Sequence, residues 1–361
     1  MADLYQGNRL VSKKPQCELP DNWHGKSFIE IVFEIIQESL EKNPDQEWLR
    51  DTQKGDSLFV KEISSKCLQA VKVLASYGLQ EGDVVHLVLP SCIEFHVTVF
   101  AIWLLGGIAS LTDPSLRTST LLEQIKDIKA SFVICHSDHE LNLPGKTYKV
   151  IKMENIFGNT SLENVHSRPD FSIARRLMDK TLVIFWSSGT TGKPKGIAHG
   201  KNFFIYSMVK KDLVPDTLLQ TTWFFHAGGF FFAPFNEGLY NGFEIVFMNF
   251  NETMTTDSLL PIIHEHRPWT IICSSHHAVQ LATITNYSNV RFMSYSKCSN
   301  WCQISKLSSN FGCLFTFCYL DGANSIKTDL HICNLWTLDW PVCKLQVCNF
   351  FSINLLKQNS K

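Results

Sequence analysis

The sequence has no excess of charge of either sign: 33 Lys and Arg stand against 34 Asp and Glu, a formal net charge of −1. A general nucleic-acid binder carries a basic footprint, so that class is excluded and no nucleic-acid partner is expected. Long apolar runs are scarce. The longest, Phe95 to Leu111, carries no formal charge, but Gly106 and Gly107 break it and it stops short of the ~18 residues of a membrane span. It reads as a buried helix, and no transmembrane segment is expected. The N-terminus, MADLYQGNRLVSKKPQCELP, lacks the apolar core of a signal peptide. Among 12 cysteines there is no C-x-x-C pair, and the pairs His264/His266 and His276/His277 have no coherent third ligand, so no metal site is assigned. A cytosolic compartment would keep these thiols reduced.

What is there is a globular composition, 45% apolar and 19% charged over 361 residues, enough for two or three domains. The first 296 residues alternate helix and strand patterns. SFIEIVFEIIQESL opens with Ser27 and Glu30 at capping-box spacing, then sets Phe28, Ile31, Val32, Ile35, Ile36 and Leu40 near one helical face. EISSKCLQAVKVLASYG repeats the period and ends at Gly78, a C′ glycine. Ser91 with Glu94 and Thr120 with Glu123 predict two further capping boxes. VVHLVLP, SFVICHS, TLVIFW, TIIC and VRFMSYS read as strands, with helices near DSLLPIIHEH and HHAVQLATI. Strands separated by helices of this length imply crossover units and a largely parallel sheet. Residues 141–170 read as loop-rich.

From about Lys297 the pattern breaks. The last 65 residues hold seven of the 12 cysteines, three aspartates and no glutamate, with no sustained helical or alternating period. Residues 1–24 are read as an extension, 25–296 as the patterned domain and 297–361 as an atypical Cys-rich tail.

The sharpest feature is IFWSSGTTGKPKGIAHG, Ile184 to Gly200, a Gly-, hydroxyl- and lysine-rich loop directly after an apolar strand. Gly189, Gly192 and Gly196 permit close backbone approach, and consecutive N–H groups in such a turn form an anion-binding concavity. Ser187, Ser188, Thr190 and Thr191 add hydroxyls, and Lys193 and Lys195 add cationic charge suited to a phosphate chain. A nucleoside triphosphate is the natural ligand. The spacing is neither a Walker A loop nor G-x-G-x-x-G. A second constellation is FFHAGG, where His226 precedes Gly228 and Gly229. At a strand end His226 would donate to a carboxylate, with the glycines admitting substrate; a packed core histidine is the other reading. Phe224, Phe225, Phe230, Phe231 and Phe232 suggest an apolar wall, with ordinary core the role of most.

SSGTTGKPKG resembles the phosphate-loop signature of the adenylate-forming (AMP-binding) enzymes: acyl-CoA synthetases, 4-coumarate-CoA ligases, luciferases and adenylation domains. The segments around Val84–Ile134, Phe224–Met248 and Arg267–Ala282 agree in order and spacing, so the resemblance covers roughly residues 25–296. It implies an α/β fold, the layered helix–sheet N-terminal domain of those enzymes, incomplete at its C-terminal end. It also implies ATP-dependent activation of a carboxylic acid, fatty or aryl, to an acyl-adenylate and then a coenzyme A thioester, with Mg²⁺ on the nucleotide. On this resemblance Lys195 and His226 are the catalytic candidates. Ser187, Ser188, Gly189, Thr190, Thr191, Gly192, Lys193, Lys195 and Gly196 hold the nucleotide; His226, Gly228 and Gly229 border the acyl group.

After VRFMSYS the sequence departs from that family. Lys297, Cys298 and Ser299 replace a Gly-rich turn, and the aromatic-Gly-x-Thr-Glu and Thr-Gly-Asp motifs and the mobile C-terminal domain are missing. Impaired turnover, a nucleotide- or acyl-binding remnant and a non-functional truncated isoform are the expectations this raises. A cytoplasmic address is expected, the ending Asn-Ser-Lys not being the peroxisomal tripeptide of some relatives.

Overall fold

The computed structural model describes residues 21–137, 147–158, 169–177, 180–187, 194–205, 208, 216–249 and 258–273 in full. Of 5–6, 9–10, 256–257, 291–294, 315–321 and 325–331 it describes the backbone alone. In chain order, a short antiparallel ribbon (β1 Tyr5–Gln6, β2 Arg9–Leu10) precedes α1, Phe28–Lys42. The predicted capping box forms. The Ser27 backbone N–H donates to Glu30 Oε2 at 2.8 Å, and Ser27 Oγ accepts from the Glu30 N–H. Phe28, Ile31, Val32, Ile35 and Ile36 are the buried face.

The hairpin β3 (Glu47–Asp51) and β4 (Ser57–Phe59) leads into α2, Val60–Ser76, with Gly78 following at φ +90° as the C′ pattern requires. Then come β5 (Val84–Val88), α3 (Phe95–Leu104), β6 (Ile108–Thr112), α4 (Thr118–Asp127), β7 (Phe132–Cys135), β8 (Lys149–Lys152), α5 (Met153–Phe157) and α6 (Ser172–Arg176). The strands β9 (Thr181–Ser187) and β10 (Lys195–Gly200) precede α7 (Lys201–Ile205), β11 (Thr217–Gln220) and α8 (Ala227–Phe231). A π-helical segment, Phe232–Tyr240, continues α8. The remainder is β12 (Glu244–Phe247), α9 (Thr256–His266), β13 (Thr270–Cys273), β14 (Arg291–Ser294), β15 (Phe315–Asp321) and β16 (Ser325–His331).

Two sheets result. The first has the order β10-β9-β6-β5-β7-β8, the second β16-β15-β14-β13-β11-β12-β3-β4. All pairs are parallel except β9–β10, β3–β4 and β15–β16, which bears out the largely parallel α/β reading. Between the sheets lies α3, whose ten residues are all buried. It packs on β6 of the first sheet and, through His96 and Phe100, on Trp48 of β3 in the second. A helix apolar all round is one buried all round.

Several expectations are corrected. The apolar run 95–111 is not one helix: α3 ends at Leu104, Gly106 turns at φ +75°, and the remainder is β6. Hydrophobicity alone does not separate a buried helix from a buried strand. The Ser91–Glu94 box does not form, because α3 starts at Phe95 and the Ser91 hydroxyl is committed elsewhere. Thr120 already lies inside α4, whose N-cap is Arg117. The stretch 141–170 carries β8 and α5. The tail supplies β15 and β16 to the second sheet. The helix expected in HHAVQLATI lies outside the described residues.

Candidate active site

The strands on either side of the glycine- and lysine-rich loop form a hairpin. β9 and β10 are antiparallel, and Ser187 and Lys195 are the Cα partners that close it. Ser187 Oγ donates to the Lys195 carbonyl oxygen at 3.4 Å. Lys195 and Gly196 are exposed, and Ser187 is half-buried. A Cβ on Gly196 would lie 3.0 Å from Ile184 Cγ2 and 3.5 Å from the Trp186 ring, so the stalk is narrow there. Ser188, Gly189, Thr190, Thr191, Gly192 and Lys193 lie outside the described residues. The base of the hairpin, Ser187 and Lys195, lies at the carboxyl end of β9, level with the carboxyl ends of β5 and β6, the edge at which open α/β sheets bind ligands.

On that edge β6 runs into Asp113, whose Oδ1 accepts from the Ser115 N–H (2.8 Å) and hydroxyl (2.7 Å), an Asx turn. His226 is not at a strand end. β11 stops at Gln220, and a turn brings His226 to the N-cap of α8 with φ −85° and ψ 142°. Its carbonyl accepts the first helical bond, from the Phe230 N–H at 2.7 Å, while its imidazole makes no cap bond. His226 is exposed to solvent, although protein atoms crowd around it. Dehydration holds its pKa below the usual 6.5, and the Asp113 carboxylate opposes this. At pH 7 His226 is therefore a neutral donor facing an edge that also carries Asp113.

What holds His226 in place was not legible in the sequence. Asn249, just beyond β12, pairs both ways with the Ser91 backbone: the Ser91 N–H donates to Oδ1 at 2.9 Å, and Nδ2 donates to the Ser91 carbonyl at 2.8 Å. Ser91 Oγ accepts from the Phe224 N–H at 3.1 Å. The end of β5 in one sheet is thereby tied to the end of β12 and to the His226 turn in the other. Asn249→Leu leaves two buried backbone groups unpaired and is expected to cost about 1–3 kcal/mol, read from urea unfolding; a stability within error of wild type would refute the clamp.

The phenylalanines are core. Phe224, Phe225, Phe230 and Phe231 are buried, and Phe232 is partly so. Phe224, Phe230 and Phe231 interlock with Phe204, Phe235 and His96 in edge-on, tilted and stacked pairs. Gly229 is buried against the Trp223 carbonyl, which dictates its size, and Gly228 is half-buried. Among the described residues, no His, Cys, Asp and Glu group is placed to hold a metal, and no helix is long and apolar enough to cross a membrane.

The sequence model of one family, described as AMP-binding enzyme, matches residues 36–318 and so runs past the 296 boundary. Malonate–CoA ligase of Arabidopsis thaliana is 27% identical over 152 residues, 40% of this chain and 25% of that protein. 2-Succinylbenzoate–CoA ligase of Bacillus subtilis is 26% identical over 173 residues, 46% of this chain and 34% of that protein. The matched part is thus about a quarter to a third of these relatives' length. Among solved structures, O-succinylbenzoate coenzyme A synthetase from Bacillus subtilis, in complex with ATP and magnesium ion, superposes with a TM-score of 0.65 at 19% identity, covering 79% of this chain and 59% of that one. The N-terminal subdomain of Klebsiella oxytoca NpsA gives 0.67 at 16% identity, covering 83% and 77%.

Proposed function

Because the chain belongs to the AMP-binding enzyme family, we propose that it activates a carboxylic acid with Mg·ATP to an acyl-adenylate and passes the acyl group to coenzyme A. The observation that carries this reading is the hairpin closed by Ser187 and Lys195 at the carboxyl edge, with His226 near enough to Asp113 of that edge to feel its charge. The residues fit a triphosphate. The loop 188–193 supplies N–H groups and hydroxyls, and Lys195 stands exposed at its base to meet charge that grows on the leaving pyrophosphate. Magnesium travels on the phosphates, keeping waters and few protein ligands. The His226 imidazole donates to the attacking carboxylate, whose own charge would raise the His226 pKa on binding. The phenylalanines around this turn are core and select no acid; relatives named for 4-coumarate and 2-succinylbenzoate favour an aryl acid.

The departures at Lys297, Cys298 and Ser299 favour a second reading, a nucleotide- and acyl-binding module with weak or no turnover. One experiment separates them. Adding Mg·ATP at ~100 times its Kd stabilises the folded chain by about 2.7 kcal/mol. The thermal midpoint of the wild type is expected to rise and that of Lys195→Ala to stay. Pyrophosphate release with fatty or aryl acids then supports the enzyme, and a shift without release the binding module. No rise in wild type would sink both.

A further inference from the structure

The first sheet carries a row of buried polar side chains that the proposed chemistry does not use. They lie on the face covered by α4, among Val88, Leu121, Ile125 and Val133. The Trp186 indole N–H donates to Ser110 Oγ at 3.0 Å. The same oxygen lies 3.0 Å from His86 Nδ1. At the other end, the Thr112 hydroxyl and the Gln124 amide are bonded at 2.8 Å. His86 and Ser110 are 0% exposed, Thr112 1% and Gln124 2%. Two atoms in the row have no partner, His86 Nε2 and Gln124 Nε2, although Gln124 is within hydrogen-bonding reach of the His86 ring.

A half-turn of the Gln124 amide, which exchanges atoms of equal size, satisfies both. The row then runs in one direction. Trp186 N–H donates to Ser110 Oγ, and the Ser110 hydroxyl donates to His86 Nδ1. His86 Nε2–H donates to the Gln124 oxygen, and the Gln124 amide donates to Thr112 Oγ1. This needs a neutral His86 with its proton on Nε2, the form that full burial favours. A fully satisfied buried network fixes one arrangement of its members.

Both ends of the row adjoin the candidate site. Trp186 immediately precedes Ser187, and it stands across from Gly196, with which it is paired in the hairpin. Thr112 immediately precedes Asp113, the carboxylate that acts on His226. The His86 and Trp186 rings also meet edge to face at 6.2 Å. We infer that His86 is a positioning residue: through Ser110 it fixes the Trp186 indole, and with it the stalk of the phosphate hairpin, relative to the Asp113 edge. It touches no substrate.

The inference rests on the hairpin's binding nucleotide, and the test separates the two. In the ¹⁵N-labelled full chain, the Trp186 indole N–H resonance is assigned by loss in Trp186→Phe, and the Kd for Mg·ATP is measured by titration. Ser110→Ala and His86→Leu are expected to move the indole resonance and weaken Mg·ATP binding about three- to tenfold, the worth of one neutral hydrogen bond. Trp186→Phe, which keeps a ring but no N–H, weakens binding alike. Ser110→Thr, which keeps the acceptor, restores both values. An indole resonance that moves while Kd stays within twofold overturns the positioning role. If His86→Leu does not fold, Ser110→Ala and Trp186→Phe decide it alone. If wild type binds no Mg·ATP, the nucleotide reading and the positioning role fall together, and the indole resonance still reports whether the row exists.

Discussion

Between pH 6.5 and pH 4 the protein loses stability steeply, and His96→Phe flattens that loss by about 1.4 kcal/mol per pH unit. His96 and His86 are fully buried, and burial pushes each pKa down to about 3. An unfolded chain protonates histidine near 6.5. Below that value the unfolded state takes up protons that the folded state refuses, so stability falls with pH, and it goes on falling until the folded pKa is reached. Each histidine contributes a loss on the order of 5 kcal/mol across the window. Two such terms remove most of the roughly 5–15 kcal/mol that stabilises a typical domain. His199 and His226, whose pKa values burial also lowers, act with the same sign. Below about pH 4.5 the carboxylates add to it, since Arg175 and the Ser27 groups hold Glu30 low against its own burial.

His96 is where this is cleanest to test. Pro234 has no N–H to give the Phe230 carbonyl four residues earlier, and His96 Nε2 lies 3.0 Å from that oxygen. The ring also stacks on Phe230 at 4.7 Å and 11°. Its Nδ1 is buried without a partner, so nothing compensates a second proton there. Phenylalanine keeps the stack, loses the bond and cannot titrate. Whatever it costs at pH 7, the slope of urea-unfolding free energy against pH between 6 and 4.5 should be shallower. Equal slopes for wild type and His96→Phe would show that His96 is not buried neutral.

The same contrast between local and distant partners decides what the sequence could reveal. The α1 cap was legible because Ser27 and Glu30 satisfy one another within one turn. The identical spacing at Ser91 and Glu94 misled, because Phe224, 133 residues away, claims the Ser91 hydroxyl. The hairpin stalk at Ser187 and Lys195 was legible because glycine, hydroxyl and lysine side chains crowd one short stretch. Asp113 and Asn249 were not, since each gains its importance from a contact across the crossover connections or between sheets. His226 lay between these cases: its residue type was readable, whereas its place at the α8 N-cap depended on where β11 stops. In the tail, β16 does alternate, Ile326, Thr328 and Leu330 against Lys327 and Asp329, but the run is a single short one in a stretch otherwise without period; its place in the sheet comes from β15 and β14 beside it.

Gly229→Ala is expected to lower stability by about 3 kcal/mol and to disturb His226, three residues away. A Cβ at Gly229 would stand 2.0 Å from the Trp223 carbonyl oxygen and 2.8 Å from its carbon. Those atoms are backbone, so no side-chain rotation relieves the overlap. The other side is closed as well: Gln220 Nε2 would lie 3.2 Å away, and it already donates to the carbonyls of Gly229 (2.8 Å) and Thr222 (2.9 Å). Either α8 must lift from the 221–225 turn or the turn must move. Both routes unseat the His226 N-cap and thin the protein packed around its ring. The imidazole, already open to solvent, becomes more fully hydrated, and the pKa that the surrounding protein holds down moves back toward 6.5. Urea unfolding reads the first effect, and an NMR titration of the His226 ring protons reads the second. A Gly229→Ala chain as stable as wild type, with the His226 titration unmoved, would show that the turn is not packed as described and would remove the basis for a neutral donor at this edge.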